Sequence, residues 1–241
     1  ALSFRRFRRR TEERDVAVKG TMKRAAPDDE RAAKRAAPDD ERAPAKRAAP
    51  DDDLAASLKR AGVACAVIDL DSTIWQGNIE SYRDCRVLHS PTELHDPDSG
   101  RTLRLFPGVR EFAAALRAAD VPLAVASASP ADRAAARALR LFGLTPVASR
   151  VRPGSKDAHL KEIASELNLP LRSMLFFDDL PHNIETVRKR CGCTCVHITG
   201  GGGLSVAHLR DGVKRMEASQ KQASSFSSFF KKPKKEAGPP I

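Results

Sequence analysis

Two carboxylates, Asp69 and Asp71, come directly after a short apolar run at residues 64–68. A run of this length and composition is typical of a buried strand, so both aspartates fall where that strand ends. In open α/β sheets, ligands bind at the carboxyl ends of the strands. Two carboxylates held close together repel each other, which favours a divalent cation or a shared proton. Taken by itself, the pattern is equally compatible with a strand that ends in an Asx turn.

Polar side chains also follow the other apolar runs, which predict strands at residues 121–126, near 147, at 174–177 and at 194–198. Ser127 follows the first of these runs, Lys156 lies beyond the second, and Asp178 and Asp179 follow the third. Since parallel strands end at one edge of a sheet, these side chains are expected to meet the first two aspartates in one crevice.

The chemistry of this set is coherent. Carboxylate oxygens can hold Mg²⁺, and one carboxylate can act as a nucleophile and form an aspartyl-phosphate. A hydroxyl and an ammonium can bind the remaining phosphoryl oxygens. The set therefore predicts a site for phosphoryl transfer.

Segments with helical periodicity alternate with the predicted strands, at residues 108–119, 130–141, 156–168, 181–190 and 204–217. This alternation predicts an α/β fold, a Rossmann-like parallel sheet with helices on both faces. A shorter helix is expected at residues 54–60. Between Trp75 and Leu105, a turn signal at residues 96–100 and an alternating stretch after it predict a minimal hairpin flap, not a separate domain.

Composition divides the chain into three parts: residues 1–60, 61–217 and 218–241. A unit of the type Lys-Arg-Ala-Ala-Pro-Asp-Asp occurs three times in the first part, at residues 23–31, 34–42 and 46–53. Its only apolar residues are Ala and Pro, so it cannot bury enough surface to offset its ordering entropy. The first and last parts are therefore expected to be disordered tails. The repeats are interpreted as a solvated linker, with a spacer or a set of short basic signals as the alternative.

The net charge of +11 is concentrated in the tails. The first 60 residues and the last 28 each carry an excess of five positive charges, and residues 61–213 carry an excess of one. Any weak contact with nucleic acid is therefore expected through the tails. Five cysteines without a secretory-type segment predict reduced thiols in an intracellular protein, cytoplasmic or nuclear, with organelle targeting left open by the basic start. No apolar run approaches about 18 residues, so no membrane partner is expected.

Together the motifs carry a resemblance. Asp69-Leu-Asp71-Ser-Thr73, Ser127, Lys156 and Asp178-Asp179 resemble, in order, the four motifs of the haloacid dehalogenase (HAD) superfamily. The longer stretches at residues 69–75, 153–156 and 176–184 resemble the magnesium-dependent phosphatase-1 family. The similarity covers roughly residues 62–215.

This resemblance implies the HAD fold, with a minimal flap in place of a cap domain, and a Mg²⁺-dependent phosphomonoester hydrolase. It implies Asp69 as the nucleophile and Asp71 as the residue that protonates the leaving group and then activates water. Mg²⁺ would be held by the Asp69 carboxylate, the main-chain carbonyl of Asp71 and Asp178. The resemblance assigns phosphoryl binding to Ser127 and Lys156, and supporting positions behind them to Thr73, Asp179 and Asn183.

The substrate stays open at this point. Members of the family usually carry Arg directly after the second-motif serine, and here that residue is Ala128. A preference for phosphotyrosine in a phosphoprotein or for a small sugar phosphate therefore cannot be transferred. Two alternatives remain. One is a nuclear phosphatase of DNA ends or chromatin proteins, and the other is an adaptor that binds a clamp or nucleic acid and has an idle phosphatase core.

The C-terminal tail motivates those alternatives. Phe226, Phe229 and Phe230 precede a basic run at residues 231–235 and resemble the peptide that docks on the sliding clamp PCNA. The expected glutamine position holds Ala223. The basic run is also compatible with a nuclear localisation signal or with a solubilising tail.

Three other features are weighed and set aside. The triplet Cys191, Cys193 and Cys195 lacks the spacing of a structural zinc site and is interpreted as thiols at the start of a strand. His182 follows the acidic pair and either lines the cleft or is an exposed first-turn residue. Residues 200–203, all glycine, lack the spacing of a dinucleotide fingerprint and are interpreted as a flexible loop.

Overall fold

The computed structural model describes residues 52–83 and 85–229. Residues 1–51, which hold the first two charged repeats and most of the third, and the basic run after Phe229 lie outside the described residues, so the disorder predicted there stays a prediction. The same holds for Phe230 and for the side chains of Phe226 and Phe229, so the clamp-binding prediction stays a prediction.

The strands are, in chain order, β1 (Cys65–Ile68), β2 (Val87–Ser90), β3 (Glu93–Asp96), β4 (Arg101–Arg104), β5 (Leu123–Ser127), β6 (Ala148–Val151), β7 (Met174–Asp178) and β8 (Thr194–His197). The helices are α1 (Asp52–Arg60), α2 (Val109–Ala118), α3 (Asp132–Leu141), α4 (Lys156–Glu166), α5 (Pro181–Cys191) and α6 (Val206–Phe229). Each predicted strand forms within about two residues of its expected position.

Five parallel strands form the central sheet in the order β6-β5-β1-β7-β8. β1 lies in the middle, and its four residues are all buried. Alternate residues of β1 enter different apolar clusters. Ala66 and Ile68 pack with α1, α2, α3 and α6, whereas Cys65 and Val67 pack with α4 and α5. Because successive strand side chains point to opposite faces, the sheet is covered on both sides, as the sequence predicts.

The start and end of the domain differ from the sequence prediction. α1 begins at Asp52, and Leu54 and Leu58 on it are 4% and 0% exposed, so the domain begins before residue 61. α6 continues to Phe229, beyond the predicted end at residue 217. Its residues 218–225 are exposed, so packing does not require the extension. Good helix formers such as Ala, Gln and Lys continue the helix there, and the next proline is Pro233.

The segment between Trp75 and Leu105 is a three-stranded antiparallel sheet in the order β2-β3-β4. Its two ends are held together, because Gln76 N donates to Arg104 O at 2.9 Å and Phe106 N donates to Ile74 O at 2.9 Å. The predicted flap is confirmed, with one strand more than a hairpin. A single 3-10 turn, Ile79–Ser81, connects it to the end of β1.

No helix within residues 52–83 and 85–229 is both long and apolar enough to cross a membrane.

Candidate active site

Lys156 lies between two carboxylates at the carboxyl edge of the central sheet. Its Nζ donates to Asp69 Oδ1 and to Ala126 O, the latter at 2.7 Å, and lies 3.1 Å from Asp178 Oδ2. All three side chains are buried, with exposures of 4% for Lys156, 6% for Asp69 and 0% for Asp178. The ends of β1, β5 and β7 and the first residue of α4 therefore converge on one ammonium group.

Burial and charge act against each other in this group. Burial raises the pKa of Asp69 to about 7, with Lys156 opposing and the charge of Asp178 reinforcing the rise. Burial alone would lower the pKa of Lys156, but the two carboxylates raise it above its ordinary value. Lys156 is therefore held as the cation.

The position of Lys156 is set by the loop before α4. Arg152 N donates to Ser127 O at 3.1 Å, and Ser155 is extended before the helix begins. His159, one turn into α4, is 1% exposed, and neither ring nitrogen has a hydrogen-bond partner among the described residues. Its burial and the nearby Arg152 lower its pKa, so it fills the space under the loop as a neutral ring. The sequence analysis did not single out His159.

Asp71 is held by the base of the flap. Its Oδ1 accepts hydrogen bonds from Trp75 Nε1 at 2.7 Å and from Ile79 N at 2.8 Å. Ser72, which lies between Asp71 and Thr73, has a φ of 59°, a left-handed conformation that few non-glycine residues adopt. The chain therefore turns sharply after Asp71, which fixes this carboxylate beside the end of β1.

Asp178 and Asp179 have different surroundings. Asp178 Oδ1 accepts from Leu180 N at 2.8 Å and from Asn183 Nδ2 at 3.0 Å, so the predicted supporting position of Asn183 has a direct contact. Asp179 Oδ1 accepts from Thr73 Oγ1 at 3.3 Å. Burial and the charge of Asp178 raise the pKa of Asp179. Thr73 thus joins the first and fourth motifs.

Ser127 ends β5 and is 2% exposed. Its Oγ accepts a hydrogen bond from Ser129 N at 3.3 Å, and Ser129 Oγ accepts one from Ala131 N at 3.3 Å. Two consecutive serine turns therefore lead into α3. A hydroxyl that accepts in this way keeps its own proton for donation to an anion.

These side chains line a cleft of about 330 Å³, formed by Asp69, Asp71, Ser72, Asn78, Glu80, Ser127, Ala128, Ser129, Pro130, Lys156, Asp179, Leu180 and Asn183. The structure thus brings the predicted site residues together, with Thr73 and Asp178 just behind the surface. Sequence analysis missed Asn78 and Glu80, which the flap contributes, and Leu180. None of them ends a strand, so no pattern pointed to them.

The cysteine triplet, His182 and the glycine run all lie outside the cleft. Cys193 and Cys195 are buried with Sγ atoms 3.9 Å apart, and Cys191 is half-buried. His182 is exposed and does not line the cleft. Residues 200–203 lie in a loop, as predicted, and Gly203 is buried against Phe106. A larger cleft of about 740 Å³ at the opposite edge of the sheet contains none of the predicted site residues.

The acidic side chains at the strand ends are candidate ligands for a metal ion. Within the described ranges, no three His, Cys, Asp or Glu side chains form a metal-binding group by themselves. Asp69 and Asp178 nevertheless share a single ammonium, which leaves an excess negative charge on buried hard oxygens. Such oxygens suit Mg²⁺, which usually takes one or two carboxylates and fills its other positions with water and substrate oxygens. The residues therefore fit a Mg²⁺ site completed by main-chain and water oxygens.

Known proteins are similar to this chain in sequence. The sequence pattern of the Acid Phosphatase family matches residues 63–219. Magnesium-dependent phosphatase 1 of Homo sapiens is 35% identical over 141 residues, which cover 58% of this chain and 80% of the human protein. A HAD-like hydrolase superfamily protein of Schizosaccharomyces pombe is 33% identical over 138 residues, 52% of this chain and 80% of that protein.

Solved structures similar to this chain are more distant in sequence. The N-terminal phosphatase domain of a Bacteroides fragilis protein, complexed with Mg, is 19% identical at a TM-score of 0.46 and covers 66% of this chain and 42% of that chain. A HAD-like phosphatase from Mesorhizobium loti is 17% identical at a TM-score of 0.44, and the match covers 65% of this chain and 87% of that chain.

The fold, the acidic strand ends and the sequence relatives define a phosphatase of the HAD superfamily. Within that class, the chain belongs to the acid phosphatase family. The 35% sequence identity between this chain and the human protein confirms the resemblance to the magnesium-dependent phosphatase-1 family.

Proposed function

We propose that this protein is a Mg²⁺-dependent phosphomonoester hydrolase that acts through an aspartyl-phosphate on Asp69. The observation that carries the proposal is the buried carboxylate of Asp69, paired with Lys156 and adjacent to Asp178 at the carboxyl edge of the sheet. Family membership and the name of the human relative support the reaction class and the metal.

The Asp69 carboxylate, the main-chain carbonyl of Asp71 and the Asp178 carboxylate would hold the ion. When bound, Mg²⁺ neutralises charge on the phosphoryl oxygens and on the surrounding carboxylates. Asn183 and Leu180 N keep Asp178 in place through their hydrogen bonds.

The side chains of the site have separate roles in the two steps of the reaction. A carboxylate oxygen of Asp69 forms a bond to phosphorus as the ester P–O bond breaks, and Asp71 gives its proton to the leaving oxygen. Asp71 next takes a proton from a water molecule whose oxygen attacks the phosphorus, which frees phosphate and restores the Asp69 carboxylate. Lys156 and Ser127 bind the phosphoryl oxygens in both steps.

The substrate is proposed as a phosphotyrosine-type phosphoprotein or a sugar phosphate, and the location as intracellular. The five cysteines of the chain are all free, which agrees with a reducing compartment. The complete charged set at the strand ends favours a working enzyme over an adaptor with an idle core. A clamp partner and a role at DNA ends depend on residues 1–51, on the side chains of residues 226–229 and on residues 230–241, which lie outside the described part of the chain.

Asp69→Asn tests the mechanism. Its hydrolysis of p-nitrophenyl phosphate with Mg²⁺ is expected to fall by about 10⁴-fold or more, because the nucleophile is lost. Phosphate release should be followed together with circular dichroism to confirm folding. The exposed Asp53→Asn is the matched control and should keep full activity. A folded Asp69→Asn with wild-type activity would falsify the mechanism. Activity that survives removal of metal with EDTA would overturn the Mg²⁺ requirement.

A further inference from the structure

We propose that this site selects phosphate esters with a neutral or cationic leaving group, and that Glu80 on the flap rejects a leaving group that carries a second anion. The inference rests on the proposed function, since it concerns the substrate of the same cleft.

The charges that line the cleft are mostly negative. Carboxylates are contributed by Asp69, Asp71, Asp179 and Glu80. Among the lining residues in the described part of the chain, Lys156 is the one Lys or Arg side chain, and it is already shared by Asp69 and Asp178. A Mg²⁺ ion and the transferred phosphoryl group would occupy the inner part, so no cation is left for a second anionic group further out.

Glu80 lies on the leaving-group side. Asp71 marks that side, because it is the residue proposed to protonate the leaving oxygen. Ile79 N donates to Asp71 Oδ1 at 2.8 Å, and the Ile79 side chain is fully buried. Glu80 is the next residue, exposed and lining the cleft. The anchored Ile79 therefore keeps the Glu80 carboxylate near the acid that faces the leaving group.

The remaining side chains of the cleft include Ala128, Pro130 and Leu180, which carry no charge, and Leu180 is 44% exposed although it is a large apolar side chain. A carbon skeleton, such as a sugar or an aromatic ring, can cover these side chains and exclude water from them. The cleft thus combines apolar and acidic lining residues.

Amines, hydroxyl-bearing sugars and uncharged aromatic groups fit this arrangement. Bisphosphates, phosphorylated sugar acids and phosphates at DNA ends place another anion close to Glu80. At roughly 7 Å and an effective dielectric constant between about 20 and 80, one extra charge changes kcat/KM by about three- to fiftyfold. The structure therefore favours the sugar-phosphate and phosphopeptide classes over the DNA-end alternative.

The test uses three aryl phosphates of nearly equal shape: 4-(aminomethyl)phenyl phosphate, 4-methylphenyl phosphate and 4-carboxyphenyl phosphate. For the wild-type protein with Mg²⁺, kcat/KM is expected to fall in that order, by about three- to fiftyfold at each step of one unit of charge. Glu80→Gln should bring the three kcat/KM values together, because it should raise kcat/KM for the carboxylate substrate and lower it for the amine substrate. Ala128→Arg should selectively raise kcat/KM for the carboxylate substrate, because it supplies the missing cation.

Glu111→Gln is the matched control, since Glu111 is an exposed glutamate on α2 that does not line the cleft. It should leave the order unchanged. Equal kcat/KM values for the three substrates in the wild type, or an equal effect of Glu80→Gln on all three, would overturn the inference while leaving the hydrolase intact. Failure of the proposed function looks different, because p-nitrophenyl phosphate would then not be hydrolysed at all.

Discussion

Lys156 is the residue on which the local electrostatics of the site depend. It is buried with Asp69 and Asp178, and its ammonium also donates to a main-chain carbonyl at the end of β5. Buried ion pairs give little net stability compared with apolar residues, but removing one partner leaves the other charge uncompensated. Here, two carboxylates would remain.

Lys156→Met is expected to destabilise the metal-free protein by about 3–5 kcal/mol, because it leaves two buried carboxylates without a cation. Added Mg²⁺ should raise the melting temperature of Lys156→Met more than that of the wild type, since the ion binds the excess negative charge. Thermal unfolding with and without Mg²⁺ measures both effects.

Lys59→Met serves as the control. Its ammonium pairs at 3.6 Å with Asp120, and both side chains are more than half exposed. An exposed pair of this kind contributes at most about 1 kcal/mol. If Lys156→Met were as stable as Lys59→Met in the absence of metal, the charge argument at the site would be wrong.

At this scale, the sequence predicted the residues that come at strand ends, because a strand end fixes where a side chain lies. Asp69, Ser127 and Asp178 belong to this group. Glu80 could not be predicted in the same way. Its position follows from the buried side chain of Ile79 and the bond from Ile79 N to Asp71, which are tertiary contacts of the flap.

Among the elements, the loop before α6 has a structural role near the site. Leu204 N donates to Thr73 O at 2.9 Å, so the loop is attached to the first motif. Gly203 has a φ of 69°, and a Cβ at this position would overlap the ring of Phe106, at the end of the flap. The loop thus packs against both the motif and the flap.

Gly203→Ala is expected to destabilise the fold by about 1–3 kcal/mol or more, through overpacking against Phe106 and an unfavourable φ. It should also lower kcat, because the displaced loop is bonded to Thr73. Urea unfolding and p-nitrophenyl phosphate hydrolysis measure the two effects.

The neighbouring Gly202 provides a direct comparison. A Cβ at Gly202 meets nothing within 4 Å, and its φ is not in the left-handed region. Gly202→Ala should therefore change stability by less than about 0.5 kcal/mol. Equal effects of the two substitutions would show that packing on Phe106 is unimportant.

This loop also shows why part of the fold could not be predicted. The apolar runs and helical periodicity gave the order of the strands and helices, since both patterns are local. A glycine gives the same sequence signal in a flexible loop and in a close-packed one. The approach of Phe106 and a left-handed φ together distinguish Gly203 from Gly202.

For the molecule as a whole, α1 closes one side of the core. Leu54 and Leu58 pack in the same apolar cluster as α2 and α6. Two further contacts bind the end of α1 to α6: Arg60 Nε lies 3.3 Å from Glu217 Oε1, and Gln220 Nε2 donates to Ala61 O at 2.8 Å. The folded unit therefore needs the residues before the β1 motif.

A chain that begins at residue 61 is expected to be about 3–6 kcal/mol less stable than a chain that begins at residue 52, because two buried leucines are lost. Denaturant unfolding of the two chains measures the difference. Leu58→Ala in the full chain should cost about 2–5 kcal/mol. Leu88→Ala, at a leucine that is 48% exposed, is the control and should cost far less. Equal stability of the two truncated chains would place the true start of the domain after α1.

The central place of β1 has a consequence for synthesis of the protein. β1 leaves the ribosome first among the strands, yet its neighbours in the sheet are β5 and β7, which come much later in the chain. The nucleophile therefore emerges long before the strand that carries Asp178. Until β7 has been made, one side of β1 is an unpaired edge, and such edges are prone to association with other chains. The synthesis of β7 thus completes both the pairing of β1 and the set of catalytic charges.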